Sequence, residues 1–230
     1  MQKTIPFCQL TTSLGSNPMN LEKLKRAEHF FMTRYPGGFS NPDMIAIGKK
    51  HKVEQITSFC QESFSKKKFR DTDDTLDNMF KVVSRSSMVS VFEKPKFKDF
   101  VKSLEPKHKN LIVSGLKEQL YGDERKGFEK VLEVMKIGKM AKWSLISVWP
   151  LYFRPQEEVF VKPTTAKKAI THFELKDLIY KPQPSWAFYE GFRSTINEMK
   201  TKVDPTLSPN NAAFTGFLMM SMTAMESTGY

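Results

Sequence analysis

The sequence predicts an all-α protein, a single compact multi-helix globular domain of about ten helices. Apolar residues recur at spacings of three and four along most of the chain, the period of a helix with one buried face. Connections are short and marked by Pro, Gly and Asn, as in Asn41-Pro42, Gly122-Asp123 and Asp204-Pro205. No Asn-Gly or Asp-Gly pair separates alternating segments, so the usual hairpin signal of a sheet is missing.

Taken in order, residues 1–19 read as an irregular N-terminal segment and residues 20–230 as one domain. Asn20 caps a helix whose inward face is Leu21, Leu24, Ala27, Phe30 and Phe31, and Pro36-Gly37-Gly38 stops it after Tyr35. Asn41-Pro42 opens a short helix. A longer one is expected over Val53–Phe69, and the next starts at Thr72. The acidic group Asp71, Asp73, Asp74 and Asp77 suits the positive end of that helix, and its spacing fits no ordered calcium loop. Ser86 to Phe92 is the one segment where a strand competes with a helix. Pro95 and Pro106 open two further helices, and Asp123 caps another. A Trp-rich apolar helix follows Lys139, then a proline-marked loop, a helix after Pro163 and one from Ser185. A last apolar helix spans Ala212 to about Met225.

The chain has 230 residues, 40% of them hydrophobic, enough for a sizeable core. Its formal net charge of +11 makes a positive field that attracts polyanions. Two cysteines, Cys8 and Cys60, do not make a disulfide framework. The N-terminus lacks the apolar core of a secretory signal and no stretch is long enough to span a membrane, which predicts a cytoplasmic protein without a membrane partner.

Strong catalytic signatures are missing. There is no G-x-S-x-G elbow, no H-E-x-x-H or C-x-x-C metal spacing and no phosphate loop. The four histidines sit in no triad-like arrangement, so neither metal nor cofactor is expected. Chemistry concentrates instead between Glu133 and Thr171. There a glycine turn, Lys136-Ile137-Gly138-Lys139, precedes the apolar helix, with Lys142 beside it. Unpaired backbone N–H groups at that helix start, ringed by lysines, suit a phosphate. The bland alternative is a helical hairpin closed by a glycine cap.

This order of elements resembles the core of the helix-hairpin-helix DNA glycosylases over about residues 80–200. Met135-Lys136-Ile137-Gly138-Lys139 lies where that family has a Gly-x-Gly hairpin, and Phe160-Val161-Lys162-Pro163 where it has a Val-Asp pair. The resemblance implies DNA as the ligand. The chain departs from the family at the residues that do chemistry. Lys136 replaces the first glycine, Met140 stands at the Schiff-base lysine position, and Lys162 stands where the catalytic Asp belongs. The catalytic candidates left are Lys162, as a nucleophile if desolvated, and the Glu157–Glu158 pair. Adjacent loop carboxylates usually diverge and remain solvated.

The expected function is therefore non-catalytic binding of nucleic acid, duplex DNA in the first instance, through backbone phosphates. Lys136, Gly138, Lys139 and Lys142 would form the centre. Lys66, Lys67, Lys68 and Arg70 would extend the basic surface, as would Lys162, Lys167 and Lys168. A divergent base-excision enzyme is the second expectation. A protein-interaction module, seating a partner or a second copy on the Met-rich terminal helix, is the third.

Overall fold

The computed structural model describes residues 19–228, so Cys8 and nearly all of the expected irregular segment lie outside the described residues. Among the described residues there are twelve α-helical segments and no strand. They are α1 (Leu21–Arg34), α2 (Pro42–His51), α3 (Val53–Ser63), α4 (Thr72–Arg85), α5 (Glu93–Ser103) and α6 (Pro106–Tyr121). Then follow α7 (Glu124–Ile137), α8 (Trp143–Ile146), α9 (Val148–Phe153), α10 (Pro163–His172), α11 (Trp186–Lys200) and α12 (Asn211–Thr228). The predicted side-chain caps at Asn20, Asn41 and Asp123 are in place, and Asp71, expected only as part of an acidic helix start, adds another. Asn20, Asn41, Asp71 and Asp123 each accept a backbone N–H from the first turn of α1, α2, α4 and α7.

The core is built around the α8–α9 segment. Every residue from Trp143 to Tyr152 is buried. α9 lies against α3, α4 and α6, and its polar atoms are tied to them. The Trp149 indole N–H donates to the Met79 carbonyl (3.0 Å), and the buried Cys60 thiol donates to the Trp149 carbonyl (3.6 Å). The single Trp-rich helix expected here is broken at Ser147. That hydroxyl donates to the Trp143 carbonyl (2.6 Å) and accepts the Val161 N–H (3.0 Å), holding the return strand of chain against the break.

Two other expectations change. The helix expected over Val53–Phe69 ends at Ser63. Phe64 and Phe69 are both buried with ring centroids 6.0 Å apart. Residues five apart fall on different faces of a continuous helix, so the chain turns and re-enters through a 3₁₀ turn at Lys68–Arg70. Ser86 to Phe92 is neither strand nor helix. The Ser86 hydroxyl lies 3.1 Å from the Tyr152 hydroxyl and accepts the Met88 N–H, Val89 is buried, and Val91 and Phe92 point outward.

α6 and α7 form an antiparallel hairpin whose closest approach is at Gly115 and Gly127. A Cβ on Gly127 would lie 2.1 Å from the Gln119 nitrogen and 2.6 Å from the Gly115 carbonyl oxygen. α12 packs on α1 and α10 and buries Phe214, Phe217, Leu218 and Met222. The apolar face expected to seat a partner is thus largely spent on the protein's own core. The Pro36-Gly37-Gly38 turn is also spent internally. Gly38 has φ 60°, and a Cβ there would meet the Thr206 hydroxyl at 2.5 Å. No helix among the described residues is long and apolar enough to cross a membrane.

Gly127→Ala is expected to destabilise the fold by about 1–3 kcal/mol or more, because backbone rather than a flexible side chain blocks the added methyl. Urea denaturation checks this. An unchanged midpoint would contradict so close a helix approach.

Candidate nucleic-acid interface

The predicted basic turn lies at the C-terminal end of α7, and its geometry differs from the expected glycine cap by one residue. Met140 N–H bonds the Met135 carbonyl (2.8 Å) and Lys139 N–H bonds the Lys136 carbonyl (3.1 Å). This is the Schellman pairing, which places a left-handed residue just past the cap. Lys139 fills that position, with φ 54°, while Gly138 has φ −89°. Gly138 is required for a different reason. A Cβ there would stand 2.1 Å from the Phe100 ring, so the end of α7 rests directly on α5. The left-handed lysine does not by itself mark a site, because Glu174 closes α10 in the same way.

A groove of about 790 Å³ opens where these elements meet. Lys96 from α5 and Lys139 and Lys142 from the turn line it, with Phe92 at its edge and Phe100 and Met140 in its floor. Two carboxylates also face it, Glu93 and Asp99. Glu93 is engaged, since its Oε2 accepts the Ser144 hydroxyl (2.6 Å). The start of α8 contributes less than expected. It has four residues, all buried, and the N–H groups of Leu145 and Ile146 both return to the Lys142 carbonyl. So short a helix carries little dipole, and the positive potential of this corner comes from its lysines.

Two further lysines, Lys181 and Lys167, are tied to the chain after Lys142 through the buried Trp143. The Trp143 indole N–H donates to the Lys181 carbonyl (2.8 Å), which fixes the 174–185 loop beside the turn. Trp143 and Tyr180 both pack on Phe188, with centroids 5.1 and 5.6 Å away, and the Lys167 ammonium lies 5.3 Å from the Tyr180 ring centroid. Lys167 is therefore linked through three aromatic contacts to the buried Trp143, the residue after Lys142. Lys168 is its exposed neighbour, and Lys162 is exposed at the N-cap of α10, about one and a half turns away. An exposed ammonium lacks the desolvation that makes a lysine nucleophilic. Burial lowers the pKa of a different lysine, Lys200, whose ammonium donates to the Gln156 carbonyl (2.8 Å).

Lys66, Lys67, Lys68 and Arg70 are exposed but lie elsewhere. The Lys66 ammonium stands 5.1 Å from the Tyr121 ring centroid, beside the N-terminal end of α7. One helix length, about 20 Å for 14 residues, separates this cluster from the groove. The structure thus brings Gly138, Lys139 and Lys142 together at the groove, with Lys136 in the preceding turn of α7, and leaves the Lys66–Arg70 group apart. Lys96, Lys181 and Phe92 join the first group without having been singled out from the sequence. Phe92 had a readable signal. The buried positions of α5 are Phe97, Phe100 and neighbouring Leu104, and three or four steps back from Phe97 reach Lys94 and Glu93, not Phe92.

The Glu157–Glu158 pair diverges, as adjacent loop residues should, but Glu158 is not solvated. It is 1% exposed. Its Oε1 accepts from Arg154 (2.6 Å) and Arg193 (2.8 Å), and its Oε2 from the Tyr189 hydroxyl (2.8 Å). Glu124 bridges the same two arginines at 2.7 and 2.8 Å. Burial alone would raise the Glu124 pKa, but the hydrogen bonds and charges of Arg193 and Arg154 outweigh it and hold the carboxyl below its usual value. Burial, then the charge and hydrogen bond of Glu158, pushes the Tyr189 phenol well up. With its oxygens committed to three donors, Glu158 is a structural tie between the 154–162 loop, α7 and α11. Glu157 faces solvent.

The acidic group after Arg70 is dispersed among local partners. Asp71 caps α4, Asp73 accepts from Lys109 (2.8 Å) and Asp77 pairs with Lys81 (2.8 Å). Among the described residues, no three His, Cys, Asp or Glu side chains are placed to hold a metal ion.

Removing Glu158 leaves two half-buried guanidiniums with Glu124 alone and takes the carboxylate acceptor from the buried Tyr189 hydroxyl, so Glu158→Ala is expected to cost about 1–3 kcal/mol by chemical denaturation. A loss under about 1 kcal/mol would contradict the tie. The same cluster sets a pH window. Glu124 has its folded pKa lowered, so its contribution is present above the ordinary value of 4.5 and is lost as pH falls through the folded value. Tyr189 and Tyr152 are raised, Tyr152 to about 12 by burial, so their contribution is present below the ordinary value of 10 and declines as pH rises beyond it. Thermal melts across pH should show both edges. Tyrosinate absorbance should show these two phenols ionising only as the protein unfolds. At the turn, Gly138→Ala should destabilise through the Phe100 clash, whereas Lys139→Gly should stabilise by up to about 1 kcal/mol by relieving the left-handed backbone. The opposite ranking in urea would refute the register of the cap.

No family model, curated protein or solved structure matches this chain.

Proposed function

We propose that this is a basic nucleic-acid-binding protein that holds its ligand through backbone phosphates and performs no reaction on it. The observation that carries the reading is the groove at the end of α7, where Lys96, Lys139 and Lys142 converge on one concave surface, with Lys181 held nearby by the Trp143 indole. Lysines so arranged suit a chain of phosphates better than a single small anion, since each phosphate neutralised releases a counterion to solution. Duplex DNA, the form expected from the sequence, and single strands share this phosphate chemistry. A binding role without catalysis follows from the candidate residues. Glu158 is committed to Arg154, Arg193 and Tyr189, and Lys162 is solvated.

Binding measured by fluorescence anisotropy should weaken steeply with salt. The double variant Lys139→Glu/Lys142→Glu should bind less tightly and lose about two from the magnitude of the log K against log salt slope, one for each phosphate contact removed. No retardation of any single strand or duplex at low salt would refute the proposal. Borohydride trapping with an abasic duplex tests the absence of chemistry. The expected result is no covalent adduct, and an adduct lost in Lys162→Ala would make the protein an enzyme.

A further inference from the structure

We infer that the groove at the end of α7 takes a single strand in preference to a duplex, with Phe92 as a stacking platform for an unpaired base. This deepens the nucleic-acid reading and rests on it. Phe92 is 76% exposed and Val91 beside it 68% exposed, the two on a loop between Ser90 and the start of α5. The loop is not loose. Ser86 and Val89 anchor it in the core, and the Phe92 N–H bonds the Ser90 hydroxyl (3.3 Å). A large ring is therefore held out into solvent at the edge of a lysine-lined groove.

A nucleic-acid base stacks on such a ring through its flat face, whatever its sequence. In a duplex both faces of each base are already covered by neighbouring pairs, so the ring has nothing to receive. A groove of about 790 Å³ falls in the range that takes a ligand of drug size, on the order of one or two nucleotides. The two carboxylates sharpen the placement. Glu93 and Asp99 lie with Phe92 and Lys96 on the α5 side, so phosphates are directed to the Lys139–Lys142 wall opposite. Beside Lys142, the Trp143 indole holds the Lys181 carbonyl, and Ile179 on the same loop is 74% exposed. An exposed aromatic ring thus stands at one edge of the groove and lysines line the opposite wall, the combination that single-strand sites use.

An anionic lipid surface would also meet exposed apolar residues ringed by lysine. It is disfavoured because the lysines line a concavity, which a chain can enter and a bilayer surface cannot.

The test is fluorescence anisotropy of the full chain with a labelled oligothymidine and with a blunt mixed-sequence duplex, alongside sedimentation with phosphatidylserine vesicles. Wild type should bind oligothymidine more tightly than duplex. Phe92→Ala should weaken oligothymidine binding by about 5- to 150-fold, the range for losing one stacked base, with duplex binding and melting temperature unchanged because the ring is exposed. Equal or tighter duplex binding with Phe92→Ala indifferent would overturn the inference and leave the nucleic-acid reading standing. Vesicle binding without oligonucleotide or duplex binding would overturn both, as would no binding to any of the three.

Discussion

The contact on which the candidate site depends is the one between Gly138 and Phe100. It leaves no room for a side chain, so the end of α7 is pressed onto α5 and the turn that follows is fixed in position. From that point the Schellman pairing sets Lys139, the extended Lys142 starts α8, and the groove forms between this turn and the α5 lysine and aromatic residues. The tight α6–α7 crossing at Gly115 and Gly127 supports it from the other end of the helix. Gly115, Gly127 and Gly138 serve close approach rather than unusual backbone angles, and a lysine instead of a glycine occupies the left-handed position.

The ionic cluster around the buried Glu158 is the second constraint. Glu158, Glu124, Arg154 and Arg193 lie among Phe128, Trp186 and Tyr189 rings, with Arg193 5.4 Å from the Trp186 ring centroid. Such a cluster gives little net stability over an apolar replacement, yet removal of one member is costly. Its effect is to fix how the 154–162 loop leaves α9 and delivers Val161 to Ser147 and Pro163 to α10. Groove and cluster thus sit on the same helix, α7, at opposite ends: Glu124 in its first turn and Lys136 in its last.

Much of this fold was legible because it rests on local chemistry. The caps at Asn20, Asn41, Asp71 and Asp123 and the stops at Pro36 and Gly122 are short-range signals, and the apolar period marks each buried face. What was not legible depends on partners distant in sequence. Pro150, which has no N–H for the Ile146 carbonyl, marked a break near Ser147, but nothing there says that Val161 will bond the Ser147 hydroxyl. Nothing near Glu158 says that Arg193 and Tyr189 will bury it, so it read as solvated charge. The lysines of the turn were visible as a cluster, but their grouping with Lys96 and Lys181 requires the Phe100 and Trp143 contacts. The Lys66–Arg70 run looked like part of the same surface, and only the length of α7 separates the two.

Chemical-shift mapping tests the central claim most directly. On titration with a short oligonucleotide, the account predicts that the backbone amides moving most are those of residues 90–100, 138–142 and 179–182. Shifts confined to residues 66–70, or no shifts at all, would contradict it.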